Sequence, residues 1–578
     1  MIKHIKPKGR TLLAVAISMA ALSPTQAIEF YTGGIEGSFD SQVSIGSSWR
    51  MEEATDHLTT NPGKINVNDG DSNYAKGDAI SQIFKGTHDL QLSYENYGAF
   101  VRGKYWYDYA QSENGVNYGQ TSDGFVPSNA SLDDSEFHDL SKFSGAQVLD
   151  AFVYGEFDVA DMPLDVRLGK QVVSWGESTF IMGGVNAINP VDVAAFRRPG
   201  AELKEGLIPV NLAYASLGLT DSVSMEGFYQ LGFHETVIPG CGTFFSTNDY
   251  APQGCEGVIT GVDAQGNFKV MPRLEDDKAK SDGQFGLALR FISEKLGDTE
   301  FGLYAMNVHS RVPVVNAVIS ATGTLEDGKT FGYQVAYPED MQLAGISFAT
   351  NIGTMALSGE ITHKTNVPIQ INDGLLITAG LANGPTGSGA PGTVGVMGAL
   401  GSSELDAITV AAMDESIATQ SAVVVDGYQM HEVTQAQMTA VKLFDQVGIA
   451  DRIILLGEAG YTFVHGLKLG DNVVRYDTAI ETITEASWGY RARIITKFSD
   501  VFAGVNLSPV IAWNHDVKGY APNPGGSFKE GRETLGFTLK ADYLATYTGA
   551  ISYTKYSGGE NNNVADRDFA SITLGMSF

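Results

Sequence analysis

Charged side chains of both signs gather in residues 176–208, and ion pairing with a solute is the chemistry that they could do. The charged members are Asp192, Arg197, Arg198, Glu202, Lys204 and Glu205. The same stretch is rich in apolar side chains, namely Phe180, Ile181, Met182, Val185, Ile188 and Val193. Such an apolar stretch should not lie open to water. One interpretation folds it into a pore, where paired charges face a solute. The other makes it a cap that packs on neighbouring loops through salt bridges.

Two local motifs of hydrolytic enzymes are absent from the sequence, and a membrane-embedded hydrolase with a triad assembled across strands stays a further alternative. The sequence contains no Gly-x-Ser-x-Gly and no His-Glu-x-x-His motif, and its ten His are scattered. Residues 66–73 place several Asn and Asp oxygens around Gly70, which suits either calcium or an Asx-rich turn. The distal Glu of a calcium loop is absent, so the turn is the favoured interpretation. We expect no enzymatic activity, no cofactor and no metal site.

The elements that must position these residues are β-strands, because the dominant apolar period is two. Segments such as 99–109, 285–291 and 453–463 alternate apolar and polar side chains over about ten residues. About eighteen such segments occur, and sixteen would also close a barrel. The polar parity predicts side chains that face the lumen, among them Arg167, Gln171, Glu226, Arg290, Glu360, Glu458, Arg491, Arg493, Lys540 and Asp542.

The connections between these segments alternate between short turns and long loops. Short ones include 220–221 and 499–500, and long ones include 176–208, 234–282 and 365–429. This alternation is typical of an outer-membrane barrel, with short periplasmic turns and long extracellular loops, and a soluble sandwich has no reason to produce it. We therefore predict an all-β fold, a single antiparallel transmembrane β-barrel of about 18 strands spanning residues 28–578.

Both ends of the chain and its two cysteines indicate export. Residues 1–27 combine a basic start, a short apolar stretch and a small-residue cleavage site, which is typical of a secretory signal peptide. Cys241 and Cys255 lie in a loop-like stretch and are expected to form a disulfide in an oxidising compartment. The last segment resembles the C-terminal signal that the barrel assembly machinery recognises, with alternating Ile572, Leu574, Met576 and Phe578.

Composition excludes several other classes of protein. The formal net charge is −29, with 38 Lys and Arg against 67 Asp and Glu, so no basic surface is available for nucleic acid. Only 18% of the residues are charged, which argues against disorder. No run of about 18 apolar residues occurs, so the sequence predicts no helical membrane span. A barrel embedded in the lipid of a Gram-negative outer membrane remains compatible with all of these observations.

Seven short motifs resemble a proteobacterial outer-membrane family catalogued as domain of unknown function thirteen-oh-two. They are residues 68–74 (NDGDSNY), 168–177 (LGKQVVSWGE), 189–192 (NPVD), 198–205 (RPGAELKE), 309–311 (HSR), 514–519 (NHDVKG) and 566–569 (DRDF). The resemblance runs from about residue 35 to the C-terminus. It implies an outer-membrane barrel that works with an inner-membrane exporter of the resistance-nodulation-division type, and a periplasmic carrier is a further expected partner. It implies no established reaction or substrate.

These observations predict a channel or conduit for small molecules, hydrophobic or lipid-like ones among them, that acts passively or with envelope transport partners. The family resemblance favours hydrophobic solutes, whereas the charged inner wall on its own would suit polar ones. The alternative is a non-conducting structural barrel that binds partners through its acidic loops.

Overall fold

The computed structural model describes residues 28–55, 66–119, 129–262, 268–320, 325, 331–372, 376, 403–467, 476, 483–560 and 562–578. Its main feature is an antiparallel barrel of 18 strands, closed where the first barrel strand pairs with the last. The predicted fold and strand number are thereby confirmed. The predicted signal peptide, residues 1–27, lies outside the described residues.

The barrel strands follow one another around the wall in chain order. They are β2 (Ile35–Arg50), β3 (Ala79–Tyr94), β4 (Tyr97–Asp108), β5 (Ser144–Val159), β6 (Met162–Gln171), β7 (Val210–Thr220), β8 (Val223–Gln230), β11 (Phe285–Ser293), β12 (Thr299–Val308), β15 (Met341–Ile352), β16 (Met355–Gln370), β18 (Tyr428–Val447), β19 (Ala450–His465), β20 (Ala486–Phe502), β21 (Val505–Lys518), β22 (Glu533–Tyr543), β23 (Tyr547–Ser557) and β24 (Phe569–Ser577). A short strand, β1 (Ile28–Thr32), forms a hairpin with β2.

The remaining elements belong to the loops. They are β9 (Gly257–Val262), β10 (Phe268–Pro272), β13 (Val314–Ile319), β14 (Phe331–Ala336), β17 (Val423–Val425), α1 (Asp69–Ser72), α2 (Tyr109–Glu113), α3 (Val193–Arg197), α4 (Leu203–Gly206) and α5 (Ser403–Thr419), with a 3₁₀ turn at Glu294–Leu296. Among the described residues, no helix is long and apolar enough to cross a membrane.

Side chains alternate across the wall as the period of two requires. Outward positions hold exposed apolar side chains such as Leu303, Ile346 and Ile361, which are aligned on three consecutive strands. Inward positions between them hold buried polar side chains such as Glu360 and Thr362. Lipid outside and water inside therefore explain why a strand of this sequence needs one apolar and one polar face.

Both rims of the wall carry outward aromatic side chains. Near the end that bears the long loops, the rings of Tyr490 and Trp513 lie 5.2 Å apart between centroids. At the end with the short turns, Tyr97 is half exposed, and the rings of Tyr543 and Tyr547 stack 6.3 Å apart. Aromatic girdles at both interfaces are characteristic of transmembrane barrels.

Two predicted connections need correction at their edges. The short turn expected at residues 499–500 lies instead at Ala503 and Gly504, because β20 continues to Phe502 before the chain turns with positive φ at both residues. The long loop expected at 365–429 is shorter at both ends. The β16–β18 ladder continues past a bulge between Lys364 and Val367, so β16 reaches Gln370 and β18 begins at Tyr428.

The long loops fold into a cap over one end of the barrel. The hairpin β9–β10 and the three-stranded sheet β14-β13-β17 are formed within them, and α5 packs on β17 and β13. All six residues of β13 are buried. The Cys241–Cys255 disulfide, with Sγ atoms 2.09 Å apart, lies in a buried cluster with Phe137 and Phe244. The cap therefore has apolar cores of its own.

Candidate permeation site

Residues 176–208, called here the crossing loop, leave the wall after β6 and return to it before β7. Between these points the loop contacts wall strands on opposite sides of the barrel. Glu177 and Val185 contact Glu360 of β16, whereas Asp192 and Glu205 contact lysines of β4 and β3. The crossing loop therefore passes through the lumen.

Two wall glutamates hold the first part of the crossing loop through its backbone. The Glu458 carboxylate accepts hydrogen bonds from the N–H groups of Thr179, Phe180 and Ile181 at 2.8, 2.6 and 2.8 Å. The Glu360 carboxylate accepts from Glu177 N–H at 2.5 Å and Val185 N–H at 2.9 Å. These charge-assisted bonds satisfy loop backbone donors, of which those of Ile181 and Val185 are buried.

Glycines permit this close approach of loop and wall. A Cβ at Gly184 would overlap the Glu360 carboxylate, and Gly176 has a φ of +84°, which favours glycine. The predicted motif at 168–177 thus ends in residues whose backbone is shaped to meet a wall glutamate.

The apolar side chains of the crossing loop pack against an apolar part of the inner wall. Val185 and Ile188 are fully buried in a cluster with Trp175, which is 1% exposed. The wall contributes Leu212, Phe228, Ala288, Tyr304, Met306 and Leu343. We call the inner faces of β7, β8, β11, β12 and β15 the filled sector, because the loop covers them.

Ion pairs attach the second part of the crossing loop to the opposite wall. Lys104 Nζ lies 3.0 Å from Asp192 Oδ2, and both side chains are at most 5% exposed. Lys85 Nζ lies 2.5 Å from Glu205 Oε2. Asp192 also caps α3 by accepting from the Ala195 N–H at 2.8 Å. The loop carboxylates are therefore neutralised by wall lysines and by a helix N-terminus.

The other predicted constriction residues also have partners. Arg197 donates to the Tyr556 hydroxyl at 3.0 Å. The Arg198 guanidinium lies 4.4 Å from the centre of the Trp106 ring, and burial lowers its pKa below the ordinary value. Lys204 Nζ lies 3.3 Å from Glu202 Oε2 and donates to the side-chain oxygen Oε1 of Gln42 at 2.8 Å. The loop therefore lies in the lumen, and most of its charged side chains are paired with other protein groups. Contact between these charges and a solute stays a prediction.

A gap remains between the crossing loop and one part of the wall. It has a volume of about 290 Å³, and Gly200, Ala201, Glu202 and Glu205 line it on the loop side. On the wall side it is lined largely by small or polar residues, including Gln42, Ser44, Lys85, Thr87, Ser508, Lys540, Asp542, Thr548, Ala550, Thr573 and Gly575. We call the inner faces of β2 and β21–β24 the open sector.

The predicted lumen-facing residues all occupy inward positions of the wall alternation. Arg167 pairs with Asp165 at 2.9 Å, and Gln171 is 1% exposed. Arg290 Nε lies 2.7 Å from Glu226 Oε1. The other carboxylate oxygen of Glu226 accepts a hydrogen bond from Trp175 Nε1. On β20, Arg491 pairs with Asp516 at 2.7 Å, whereas Arg493 lies 4.2 Å from the centre of the Phe180 ring. Their roles toward a solute stay predictions.

Sequence reasoning missed the partners that fix the crossing loop. Lys85 and Lys104 were not identified as anchors, although both stand at inward positions of strongly alternating strands. The inward parity identified Glu360 and Glu458 but gave no sign that they bind backbone N–H groups. The sequence signals that could have indicated this binding were the two inward carboxylates and the glycines of the crossing loop. The structure shows that the carboxylates are buried and that Gly184 lies against Glu360.

The acidic segment at 66–73 belongs to the cap. It forms α1, and Asp71 pairs with Arg50 at 2.8 Å and with Arg567 at 3.4 Å. Asp249 accepts from the backbone N–H of Asn68 at 2.9 Å, and burial raises its pKa well above the usual value. In the described part of the chain, no group of three metal-ligating side chains is arranged to hold an ion.

The last predicted segment forms the seam of the barrel. β24 pairs with β2, with Val43 opposite Met576 and Ile45 opposite Leu574. Ile572 and Leu574 are exposed on the outer face. The Phe578 N–H donates to the Ser41 carbonyl at 2.8 Å. Recognition of this segment by the assembly machinery stays a prediction.

Comparison with solved structures finds barrels of similar extent and low identity. OccAB1 of Acinetobacter baumannii is 10% identical, with 96% of this chain and 99% of that chain covered and a TM-score of 0.40. Pseudomonas aeruginosa OccK2 (OpdF), solved with glucuronate, is 10% identical over 94% and 97%, with a TM-score of 0.36. OmpF of Salmonella typhi, in complex with daunomycin, is 9% identical over 95% and 100%, with a TM-score of 0.34.

The chain matches a protein family over nearly its whole length. A search of curated proteins found no match. The family model described as protein of unknown function (DUF1302) matches residues 8–578, nearly the whole chain. The motifs that carried the resemblance include parts of the crossing loop, at 189–192 and 198–205. The chain with this loop-crossed barrel belongs to the DUF1302 family.

Proposed function

We propose that this protein is a channel of the Gram-negative outer membrane, through which small molecules pass between the crossing loop and the open sector. The carrying observation is the unequal filling of the lumen. Leu212 and Phe228 of the filled sector are 0% and 5% exposed beneath the loop, whereas the open sector lines a gap of about 290 Å³. An 18-stranded wall is wide enough for an aqueous path once a loop fills only part of it.

Side-chain size along the open sector supports this path. Ser508, Ala550 and Thr573 stand inward on three different strands and line the gap. Thr573 meets the loop at Gly200, where a Cβ would lie 2.5 Å from its Cγ2, whereas Ser508 and Ala550 have short side chains. The part of the wall that lines the gap therefore carries side chains that leave space.

Single-channel conductance in a planar bilayer, with the chain from residue 28 to 578, tests the proposal. Ala550→Trp places a large side chain in the gap, and we expect a reduced conductance step. Ile551→Trp is the matched control, because Ile551 is the next residue, is 60% exposed and points outward. Its step should equal that of the parent.

Removal of residues 185–204 provides the opposite change. It takes out the part of the crossing loop that borders the gap, so we expect larger steps than in the parent. If the parent is silent and this variant conducts, the loop is a plug that a ligand or partner must displace. If all four proteins are silent, the channel proposal is wrong, and the non-conducting interaction barrel becomes the better hypothesis.

The crossing loop also supports passage of molecules with an apolar body. Leu203 is 68% exposed, Met182 57% and Phe196 39%, although all three belong to a loop inside the barrel. Exposed apolar side chains in a lumen can contact an apolar solute without trapping it in a closed pocket. An inner-membrane exporter of the resistance-nodulation-division type and a periplasmic carrier are the partners that would deliver or receive such a solute.

A further inference from the structure

Most lumen cations described above pair with a carboxylate, but in the part of the chain that the structure describes Arg493, Lys540 and their neighbour Lys497 do not. Arg493, Lys497 and Lys540 are exposed, and within the described residues none forms an ion pair. Acidic residues outnumber basic ones by 67 to 38 in this chain. Three adjacent cations without a carboxylate are therefore not explained by a shortage of acids.

The strand register places these cations together on the inner wall, with Lys540 at the gap. On strands β20 and β21, Ile495 is opposite Val510 and Phe498 is opposite Leu507. The register between these two pairs therefore places Lys497 opposite Ser508. Ser508 is in turn opposite Lys540. Lys497 and Lys540 thus lie two strands, or about 10 Å, apart along one row of the wall.

Arg493 extends this group toward the cap. It lies on the same face as Lys497, four residues earlier on β20. Its guanidinium is held 4.2 Å from the centre of the Phe180 ring of the crossing loop. A cation over an aromatic face keeps its hydrogen-bond donors available at the edge of the guanidinium.

Two carboxylates that line the gap with Lys540 have other hydrogen-bond or ion-pair partners. Asp542 stands two residues from Lys540 on β22, and its Oδ1 accepts a hydrogen bond from Asn506 Nδ2 at 2.8 Å. Glu202, across the gap, pairs with Lys204 at 3.3 Å. The three cations therefore face the lumen without a direct ion pair to any described residue, and Asp542, whose Asn506 partner is neutral, keeps its negative charge beside Lys540.

From this arrangement we propose that organic anions pass through the channel. The carboxylate of the solute moves along Arg493, Lys497 and Lys540, while its apolar body contacts the crossing loop. This inference rests on the proposed channel function and names its substrate class. It also accounts for the presence of exposed Leu203 and Phe196 beside a charged wall, since an amphiphilic anion needs both surfaces.

Calorimetry on the barrel in lipid nanodiscs tests this proposal. It measures the binding of 4-phenylbutyrate and of neutral 4-phenylbutan-1-ol, and the signal of empty nanodiscs is subtracted. The two probes share an apolar body and differ in the carboxylate. We expect the parent to prefer the anion by about tenfold, the order of one charge-assisted hydrogen bond. In a variant carrying R493Q, K497Q and K540Q, the preference should disappear.

Lys555→Gln is the matched control. It removes the same charge from an exposed, outward position opposite Leu535 on the lipid-facing wall, so the tenfold preference should remain. A single Lys540→Gln variant should lose part of the preference, and its circular dichroism reports whether the barrel is intact.

The outcomes separate this inference from the channel proposal. A parent that binds both probes equally overturns the anion inference, whatever its conductance. A preference that survives in the triple variant overturns the assignment to these residues. A parent that prefers the anion, while both it and the variant without residues 185–204 stay silent in bilayers, supports the site and contradicts the channel.

Discussion

The filled and open sectors share one barrel wall but use opposite side-chain chemistry. In the filled sector, Phe228, Tyr304 and Met306 point inward and are at most 5% exposed, because the crossing loop packs on them. In the open sector, Ser508, Thr548 and Thr573 point inward and line a gap. The comparison shows that a lumen can be partitioned by giving one part of its inner wall an apolar core.

The largest effect is expected from a change in the filled sector. Trp175→Ala removes the indole that packs on Phe228, with ring centroids 5.1 Å apart, and donates to Glu226. We expect the attachment of the loop to weaken by about 3–5 kcal/mol, as for other buried aromatic truncations. Amide hydrogen exchange of residues 177–188 measures this change. Leu203→Ala, at a side chain 68% exposed on the same loop, is the control and should change protection little.

A smaller effect is expected at the wall glutamates. Glu458→Gln replaces a carboxylate that accepts three backbone N–H bonds with an amide that has one acceptor oxygen. We expect a loss of about 1.5–3 kcal/mol in local stability. Proteolysis of the crossing loop should speed up accordingly. Glu432→Gln, at an outward side chain 58% exposed, should leave the rate unchanged, and equal rates in both variants would contradict the role of Glu458.

The cap offers a pH test that leaves both sectors untouched. Burial raises the pKa of Asp249, so the folded cap binds its proton more tightly than the unfolded chain does. Its contribution to stability is therefore present below the ordinary carboxyl pKa and is lost as pH rises through the raised one. Asp249→Asn should weaken this dependence, measured as exchange protection of the Asn68 and Asp69 amides. An unchanged pH profile would contradict it.

The smallest effect is expected in the open sector. Thr548→Val exchanges a hydroxyl for a methyl group at an exposed position that borders the gap. We expect thermal stability to change by no more than about 0.5 kcal/mol, because no packing is lost. A change as large as that of Trp175→Ala would show that the open sector is packed, and the comparison between sectors would fail.

The barrel could be predicted from the sequence because each strand meets the same two solvents. Lipid outside and water inside impose a period of two, and this period also gives the correct parity for Glu360 and Arg491. β13 was missed because it is buried on both faces and so has no alternation. The loop anchors were missed for a different reason. Lys104 and Asp192 are far apart in sequence, and only the closed wall brings them together.

The seam between β2 and β24 has a consequence for the order of assembly. Gln42 pairs with Ser577, so the first barrel strand finds its second neighbour only when the last one has been made. Until then β2 and each newly formed strand present unpaired edges, which invite pairing with other chains. Closure also requires contacts between the most distant parts of the chain, which form slowly. An unfinished copy of this protein is therefore a sheet with two open edges, and it must be shielded until its final residues arrive.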